Sequence, residues 1–341
     1  MVPRNAIVEW ATKYPWQRNE QVEQDLIICR ALVAIFSDPL LSELLAFKGG
    51  TAIHKLYFEN QPRYSEDIDL VQITPGPIKP ILERLGEVLR WLPRKTIEMR
   101  RYGVRMRFRF DSEMETVVPL RLKVEINTCE HFSTLGHRNV DFAVANQWFA
   151  GQCTLRTFAL EEMLASKINA IYERRKGRDL FDLDYALQHR NVDADLVFKS
   201  WLEYRRLKNE ETPSWREYIQ NMEDKLLLDE YRLEVLPLLR KGIDYDPINL
   251  LIYLPVSSMY ILSMTVGYFG LRWLELSIVS PVQNASGAFS AIYIMVYFIV
   301  TGRITDIGAE LSLANLSISA AGRSGTSRVT PSSIRTPATC T

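Results

Sequence analysis

Two aspartates separated by one residue are the clearest candidates for chemistry in this sequence. Asp67 and Asp69 lie in residues 66–71, where polar and apolar residues alternate. Because successive side chains of a strand point to opposite faces, this alternation predicts a strand with both aspartates on one face. Two carboxylates this close repel each other, and a hard cation such as Mg²⁺ bound through their oxygens relieves the repulsion. The pair therefore predicts a metal site.

A third carboxylate follows on another alternating segment. Residues 120–126 place Glu125 on their polar face, and residues 104–110 alternate arginines with apolar residues. Both patterns predict half-buried strands. A strand next to the aspartate pair would make Glu125 available as a further ligand.

The Gly-Gly-Thr sequence upstream suits phosphate binding. Residues 45–57 predict a short strand that ends at Gly49 and Gly50, a tight turn, and a helix starting near Thr51. Backbone N–H groups at such a turn can approach phosphates, and the Thr51 hydroxyl is an added donor. In a two-metal site, one ion activates an attacking hydroxyl and the other stabilises a departing pyrophosphate. The turn and the carboxylates together predict chemistry on a nucleoside triphosphate.

Segments with helical periodicity precede and follow these elements. Residues 21–46 predict packing helices, and residues 159–175 predict a helix that ends at Gly177 and carries Lys167 beside its apolar stripe. A further helix is predicted from Arg178, where Asp179 suits an N-cap and a functional acid equally well.

The remaining titratable residues on these helices are predicted to be structural. Asp182 and Asp184 are expected to be surface charges. The four histidines lack metal-ligand spacing and are expected to be ordinary polar residues: His54, His131, His137 and His189.

Several segments together resemble a known family. Residues 47–52 (FKGGTA), 63–70 (RYSEDIDL), 123–126 (KVEI), 161–167 (EEMLASK) and 178–183 (RDLFDL) occur in the order found in AbiEii/AbiGii-type nucleotidyltransferase toxins. This family belongs to the DNA polymerase β-like nucleotidyltransferase superfamily. The resemblance covers about residues 20–240.

The resemblance implies an α+β fold, in which a polymerase β-like mixed sheet with flanking helices precedes a helical region. It also implies a Mg²⁺-dependent transfer of a nucleotide from an NTP to an acceptor, in the toxin half of a toxin–antitoxin or phage-defence pair. The implied acceptor is the 3′ end of tRNA, or another RNA, and the implied protein partner is a cognate antitoxin.

The resemblance also assigns roles to individual residues. The implied catalytic residues are Asp67, Asp69, Lys167 and Asp179. Asp67, Asp69 and Glu125 would bind metal. Lys167 would contact the triphosphate. The other nucleotide-binding residues would be Lys48, Gly49, Gly50, Thr51 and Ser65.

Two other functions remain open from the sequence. A binding protein that has lost activity would keep the same fold, and the same metal site would support transfer of a γ-phosphate to a protein. Four basic runs suit RNA phosphates or pairing with nearby glutamates equally well. They are residues 100–101, 105–109, 174–178 and 205–206.

Overall composition limits the choice of partners and compartment. Lys plus Arg and Asp plus Glu number 41 each, which excludes binding of nucleic acid or anionic lipid through bulk charge. The four cysteines show neither a disulfide framework nor a zinc pattern, and the polar N-terminus lacks the apolar core of a signal peptide. We therefore expect a cytoplasmic catalytic region.

The composition changes sharply near residue 247. Residues 247–271 and 276–302 contain no charged side chain and predict a transmembrane hairpin, and the Ser-rich residues 303–341 are expected to be disordered. A frameshifted or fused reading frame explains this tail equally well. The expected organisation is a nucleotidyltransferase domain with N-terminal packing helices (1–150), a helical domain completing the active site (151–246), the hydrophobic segment (247–302) and the tail (303–341).

Overall fold

A computed structural model describes residues 2–113, 117–245 and 247 of this chain. Residues 1–247 form one compact unit. The strands are β1 (Leu45–Lys48), β2 (Asp67–Gln72), β3 (Lys95–Arg100), β4 (Gly103–Asp111), β5 (Pro119–Asn127), β6 (His137–Ala145) and β7 (Ala150–Phe158). The helices are α1 (Arg4–Lys13), α2 (Asn19–Phe36), α3 (Pro39–Leu44), α4 (Gly49–Tyr57), α5 (Lys79–Val88), α6 (Leu160–Glu173), α7 (Gly177–His189), α8 (Ala194–Leu207), α9 (Trp215–Leu226) and α10 (Asp229–Leu233). A 3₁₀ turn at Leu236–Leu238 follows α10.

The seven strands form one mixed sheet in the order β3-β4-β5-β2-β1-β7-β6. β2 pairs antiparallel with β1 and parallel with β5, and this register places Asp69 opposite both Lys48 and Glu125. The predicted mixed sheet with flanking helices is confirmed, including strands at residues 67–72, 103–111 and 119–127.

Helices cover the sheet and form the wall beside the aspartate strand. α2 packs against β2, β5, β6 and β7, and most of its side chains are buried in the main hydrophobic core. α4 leaves the end of β1 and packs on β1 and β2 as well as on α6 and α7. The first turn of α4 therefore lies between the sheet and the helical region.

The hairpin of β6 and β7 has no counterpart in the sequence prediction. β7 pairs with β1 through Phe47 and Thr157, and the Thr157 hydroxyl donates to the Phe47 carbonyl at 2.7 Å. The helical region thus begins at Leu160 and not at residue 151, while the domain division itself stays a prediction. Apolar residues alternate in β6 at Val140, Phe142 and Val144, but the first three residues of β6 are polar and exposed, so the alternating segment is short.

Gly177 begins α7, so the prediction that it ends the preceding helix is wrong. A Cβ atom at this position would lie 1.9 Å from the Tyr231 carbonyl oxygen. Glycine is therefore required for the close approach of α7 to the backbone of α10.

The predicted membrane hairpin at 247–302 and the predicted disordered tail at 303–341 lie outside the described residues, apart from Pro247. Within residues 2–113 and 117–245, no helix combines the length and the apolar character that crossing a bilayer requires.

The substitution Phe47→Ala tests how far the core depends on β1. Phe47 is fully buried, so removing its ring should lower the free energy of unfolding by about 3–5 kcal/mol. Urea unfolding measures this change, and Val8→Ala is the control because Val8 is 61% exposed on α1. Equal stability of the two variants would contradict the central position assigned to β1.

Candidate active site

One cavity of about 800 Å³ opens between the sheet and the helical region. It is lined by the β1–α4 turn, by β2, β4 and β5, and by α6. Eight of the ten residues predicted for the site lie on its wall: Lys48, Gly49, Gly50, Ser65, Asp67, Asp69, Glu125 and Lys167. The other two, Thr51 and Asp179, are buried behind it.

The two aspartates of β2 lie in an environment that disfavours two negative charges. Burial raises the pKa of Asp67, although Lys123 donates to its Oδ2 at 2.6 Å. Burial, the charge of Asp67 and the charge of Glu125 together raise the pKa of Asp69 to about 6. A bound cation would remove this penalty.

The aspartate pair suits a hard divalent cation. Asp67 Oδ1 is buried and has no hydrogen-bond partner among the described residues. Buried polar atoms are nearly always paired, so this carboxylate oxygen is available to bind a cation. Glu125 instead accepts a hydrogen bond from Arg105 Nε at 2.7 Å. No group of three or more His, Cys, Asp or Glu side chains in the described part of the chain is arranged to hold a metal. Asp67 therefore has an oxygen free for a cation, while Glu125, which lies opposite Asp69 in the sheet, is paired with Arg105 and stays a predicted third ligand.

Gly49 permits the close contact between the turn and β2. Its φ of +85° favours glycine, and a Cβ atom there would lie 2.2 Å from Asp69 Oδ2. At Gly50, a Cβ atom would lie 2.5 Å from Arg63 Nη2. Both glycines therefore allow the N-terminus of α4 to approach the carboxylate and the guanidinium.

Thr51 has a different role from the one predicted. It is 1% exposed, and its hydroxyl contacts the Asp67 carbonyl and the Ser65 hydroxyl inside the protein. This geometry does not support a phosphate contact by the Thr51 side chain. Its hydroxyl instead fixes α4 to the start of β2.

Lys48 lies on the cavity wall, and its ammonium group is engaged with the helical region. Its Nζ donates to the Tyr204 hydroxyl at 2.7 Å and lies 3.5 Å from Glu130 Oε2. Burial works to lower the pKa of Lys48, but Tyr204 and Glu130 outweigh it and raise that pKa. Lys48 therefore remains charged and connects β1 to α8.

Asp179 is fully buried next to Lys167, and the interpretation of Asp179 as an N-cap is wrong. α7 begins at Gly177, two residues earlier, and its N-cap is Lys176. The Asp179 carboxylate accepts hydrogen bonds from Lys167 Nζ at 2.8 Å and from Arg174 Nε at 2.6 Å. Burial opposes ionisation of Asp179, but the two cations hold its pKa below the usual value.

Asp182 is also fully buried, so its prediction as a surface charge is wrong. Arg63 binds it with two parallel hydrogen bonds of 2.6 and 2.7 Å, and Lys167 Nζ lies 2.8 Å from its Oδ2. Burial alone would raise the pKa of Asp182, yet these cations hold it well below the usual range. The sequence held one signal of this burial. Asp179 and Asp182 are three residues apart, so they lie on the same face of α7, and both pair with Lys167.

His54 is buried and completes this cluster, so it is not an ordinary polar residue. Its Nε2 lies 2.7 Å from Asp182 Oδ1, and its Nδ1 has no hydrogen-bond partner among the described residues. Burial lowers the pKa of His54 to about 4, and Arg63 and Lys167 also lower it, against the opposing charge of Asp182. We therefore assign a neutral imidazole that donates Nε2–H to Asp182.

The low pKa of His54 predicts a specific loss of stability in acid. The unfolded chain takes up a proton near pH 6.5, whereas the folded protein resists protonation down to about pH 4. Stability should thus be lost as the pH falls through this window, by up to about 3 kcal/mol from this one group. Urea unfolding at several pH values should show a smaller loss for His54→Gln than for wild type. His189→Gln, which alters an exposed histidine, should behave like wild type; parallel curves for wild type and His54→Gln would contradict the assignment.

The match to a known family covers the region that forms the sheet, the cavity and most of the helices. A family model described as "Nucleotidyl transferase AbiEii toxin, Type IV TA system" matches residues 30–247. No curated protein sequence gives a significant match.

The solved structures that are similar to the chain include the following three. MenT4, a nucleotidyltransferase toxin from Mycobacterium tuberculosis H37Rv, is 20% identical, with a TM-score of 0.47 over 71% of this chain and 85% of that one. JHP933 from Helicobacter pylori is 18% identical, with a TM-score of 0.37 over 62% and 92% of the two chains. An antigenic nucleotidyltransferase-like protein from Paracoccidioides brasiliensis is 14% identical, with a TM-score of 0.31 over 57% and 92%.

Proposed function

Because the chain belongs to the AbiEii family of nucleotidyltransferase toxins of type IV toxin–antitoxin systems, we propose that it transfers a nucleotide from an NTP to the 3′ end of tRNA. The observation that carries this proposal is the placement of Asp67 and Asp69 beside the Gly49–Gly50 turn in one cavity. Membership of the family also implies an antitoxin partner.

The proposed reaction is a substitution at the α-phosphorus of the NTP. The oxygen of the acceptor hydroxyl forms a bond to this phosphorus as the bond to the bridging oxygen of the β-phosphate breaks. Pyrophosphate leaves with the electron pair of that bond, and the hydroxyl proton is lost to solvent. The main task of the protein is to position the two substrates and to offset negative charge.

Asp67 and Asp69 are the residues that would hold Mg²⁺, in the two-ion arrangement expected from the sequence. Bound Mg²⁺ offsets the charge on phosphate oxygens and lowers the pKa of an attacking hydroxyl. Lys123 donates to Asp67 Oδ2, and Oδ1 has no hydrogen-bond partner within the described part of the chain, so Oδ1 is available to a cation.

The first turn of α4 is suited to the triphosphate. The N–H groups at the start of a helix have no partners within the helix, and the helix dipole favours an anion there. Gly49 and Gly50 expose this backbone to the cavity, and Ser65 adds a hydroxyl at its wall. These groups can bind phosphate oxygens directly.

Lys167 is suited to contact the same phosphates from the helical region. Its Nζ bridges Asp179 and Asp182, which fix its position, and the residue lines the cavity. Asp179 is fully buried and is absent from the cavity wall. We therefore propose that Asp179 acts by positioning Lys167 and Arg174, without contacting substrate.

The double substitution Asp67→Asn and Asp69→Asn tests the proposed site. The full chain is incubated with Mg²⁺, total tRNA and each α-labelled NTP in turn, and labelled RNA is measured on a denaturing gel. We expect wild type to label tRNA and the double variant to lose at least about 100-fold in rate, because charge stabilisation at the phosphates is lost. Asp141→Asn on β6, outside the cavity, is the matched control.

Repeating the incubation with γ-labelled NTP, together with a measurement of NTP binding, distinguishes the alternative functions. Label that passes from γ-labelled NTP to protein would indicate a phosphotransferase. The absence of any labelled product, with NTP binding retained, would indicate an inactive binding protein. Full activity of the double variant would refute the assignment of the two aspartates.

Substitution of Lys167 tests its phosphate contact. We expect Lys167→Ala to raise the KM for NTP by about tenfold or more, since a hydrogen bond between charged groups contributes about 1.5–3 kcal/mol. Steady-state kinetics measures KM and kcat, and thermal unfolding measures the stability lost when Asp179 and Asp182 lose a partner. The exposed Lys199 on α8 supplies the control variant Lys199→Ala. Unchanged KM and kcat in Lys167→Ala would rule out this role.

A further inference from the structure

The turn between β3 and β4 brings two arginines and an exposed tyrosine to the cavity. Arg100 ends β3, and Arg101 and Tyr102 connect it to β4. All three residues line the same cavity as Asp67 and Asp69. We call these three residues the 100–102 turn.

The backbone of the 100–102 turn is fixed to the end of β5. Thr128 N donates to the Tyr102 carbonyl at 3.2 Å. The backbones also pack so closely that a Cβ atom at Gly103 would lie 2.0 Å from the Ile126 carbonyl oxygen. Thr128 is three residues beyond Glu125, so the turn lies about 10 Å along the strand direction from the carboxylates.

The side chains of Arg101 and Tyr102 in this turn are exposed and can meet a ligand. Tyr102 is 59% exposed, and the Arg101 guanidinium lies 5.0 Å from the centre of its ring. Arg101 forms no ion pair with any described residue, whereas Arg100 pairs with Glu98 at 2.9 Å. An exposed aromatic ring beside an unpaired arginine is the combination with which proteins bind single-stranded nucleic acid, through base stacking and phosphate contacts.

In the sheet, the aspartate pair can be reached from two opposite sides, toward β1 or toward β5. β2 lies between β1 and β5, so the Gly49–Gly50 turn is on one flank of the pair and the 100–102 turn is beyond β5 on the other. The proposed triphosphate site uses the first flank. A second substrate that must reach the same α-phosphorus therefore approaches from the second flank.

We propose that the 100–102 turn binds the single-stranded 3′ end of the acceptor RNA, with Tyr102 stacked on a base and Arg101 at a phosphate. This inference rests on the proposed nucleotidyl transfer to RNA. Beyond that proposed function, the inference names the part of the protein that recognises the acceptor and states that the acceptor end must be single-stranded. A stacking surface accepts any base, so this turn selects a single-stranded end and not a sequence.

Binding of a fluorescein-labelled single-stranded RNA oligonucleotide to the full chain tests the inference without turnover. Fluorescence anisotropy should show about tenfold weaker binding for Tyr102→Ala, because loss of one stacked base has roughly this effect. Tyr102→Phe keeps the ring and should bind like wild type. Met99→Ala is the matched control, since Met99 is 67% exposed on the same hairpin and does not line the cavity.

Two further measurements separate stacking from charge. The same oligonucleotide annealed to its complement should bind wild type and Tyr102→Ala equally, because its bases are already stacked. For Arg101→Gln, the slope of log affinity against log salt should fall by about 0.7, the value for one phosphate of a single strand.

The outcomes separate this inference from the proposed function. Wild-type affinity in Tyr102→Ala, or an equal loss in Tyr102→Phe, would overturn the stacking role. Absence of RNA binding by wild type would also overturn it, while pyrophosphate release that depends on Asp67 and Asp69 would still support nucleotidyl transfer. Weaker RNA binding by Tyr102→Ala in a protein that transfers no nucleotide would support the inference and count against the proposed reaction.

Discussion

The buried carboxylate of Asp182 is the interaction on which the arrangement of the site depends. It binds Arg63 from the loop before β2, His54 from α4 and Lys167 from α6, and it lies on α7 itself. Removing one partner from such a cluster leaves an uncompensated buried charge, which costs about 3–5 kcal/mol. The four segments are therefore held in one arrangement, and the helix that carries the cavity lysine is fixed relative to α4, whose first turn lines the same cavity.

Charge balance extends from this cluster into the cavity. Lys123 and Arg105 lie on the same sheet as the acids and pair with Asp67 and Glu125. Lys48 joins the end of β1 to Tyr204 of α8. Asp67, Glu125 and Lys48 at the wall thus each have an oppositely charged or hydrogen-bonding partner on a neighbouring strand or helix, so much of the cavity's charge is balanced locally in a chain of zero net charge.

Local patterns in the sequence predicted the elements that carry the aspartates. β2, β4 and β5 alternate clearly because one face of each is buried, and the two glycines that begin α4 indicated the change from strand to helix. β6 and β7 were missed, although Val140, Phe142 and Val144 alternate in β6, because this alternation is short and the first three residues of β6 are polar and exposed. Asp182, His54 and Arg63 were missed as a cluster because their burial comes from partners distant in sequence. The spacing of Asp179 and Asp182 indicates a shared helix face but not what packs against that face. Thr51 shows the converse, since its type suited a phosphate but its packing turned the hydroxyl inward.

The exposure of β3 has a consequence for how such proteins diverge. All six of its residues are exposed, and it lies at the edge of the sheet, so substitutions there cost little stability. The aspartates and the Gly49–Gly50 turn, in contrast, are bound by close contacts that exclude most replacements. If the hairpin of β3 and β4 selects the acceptor, a lineage can acquire a new cellular target through surface mutations while its nucleotide chemistry is inherited unchanged.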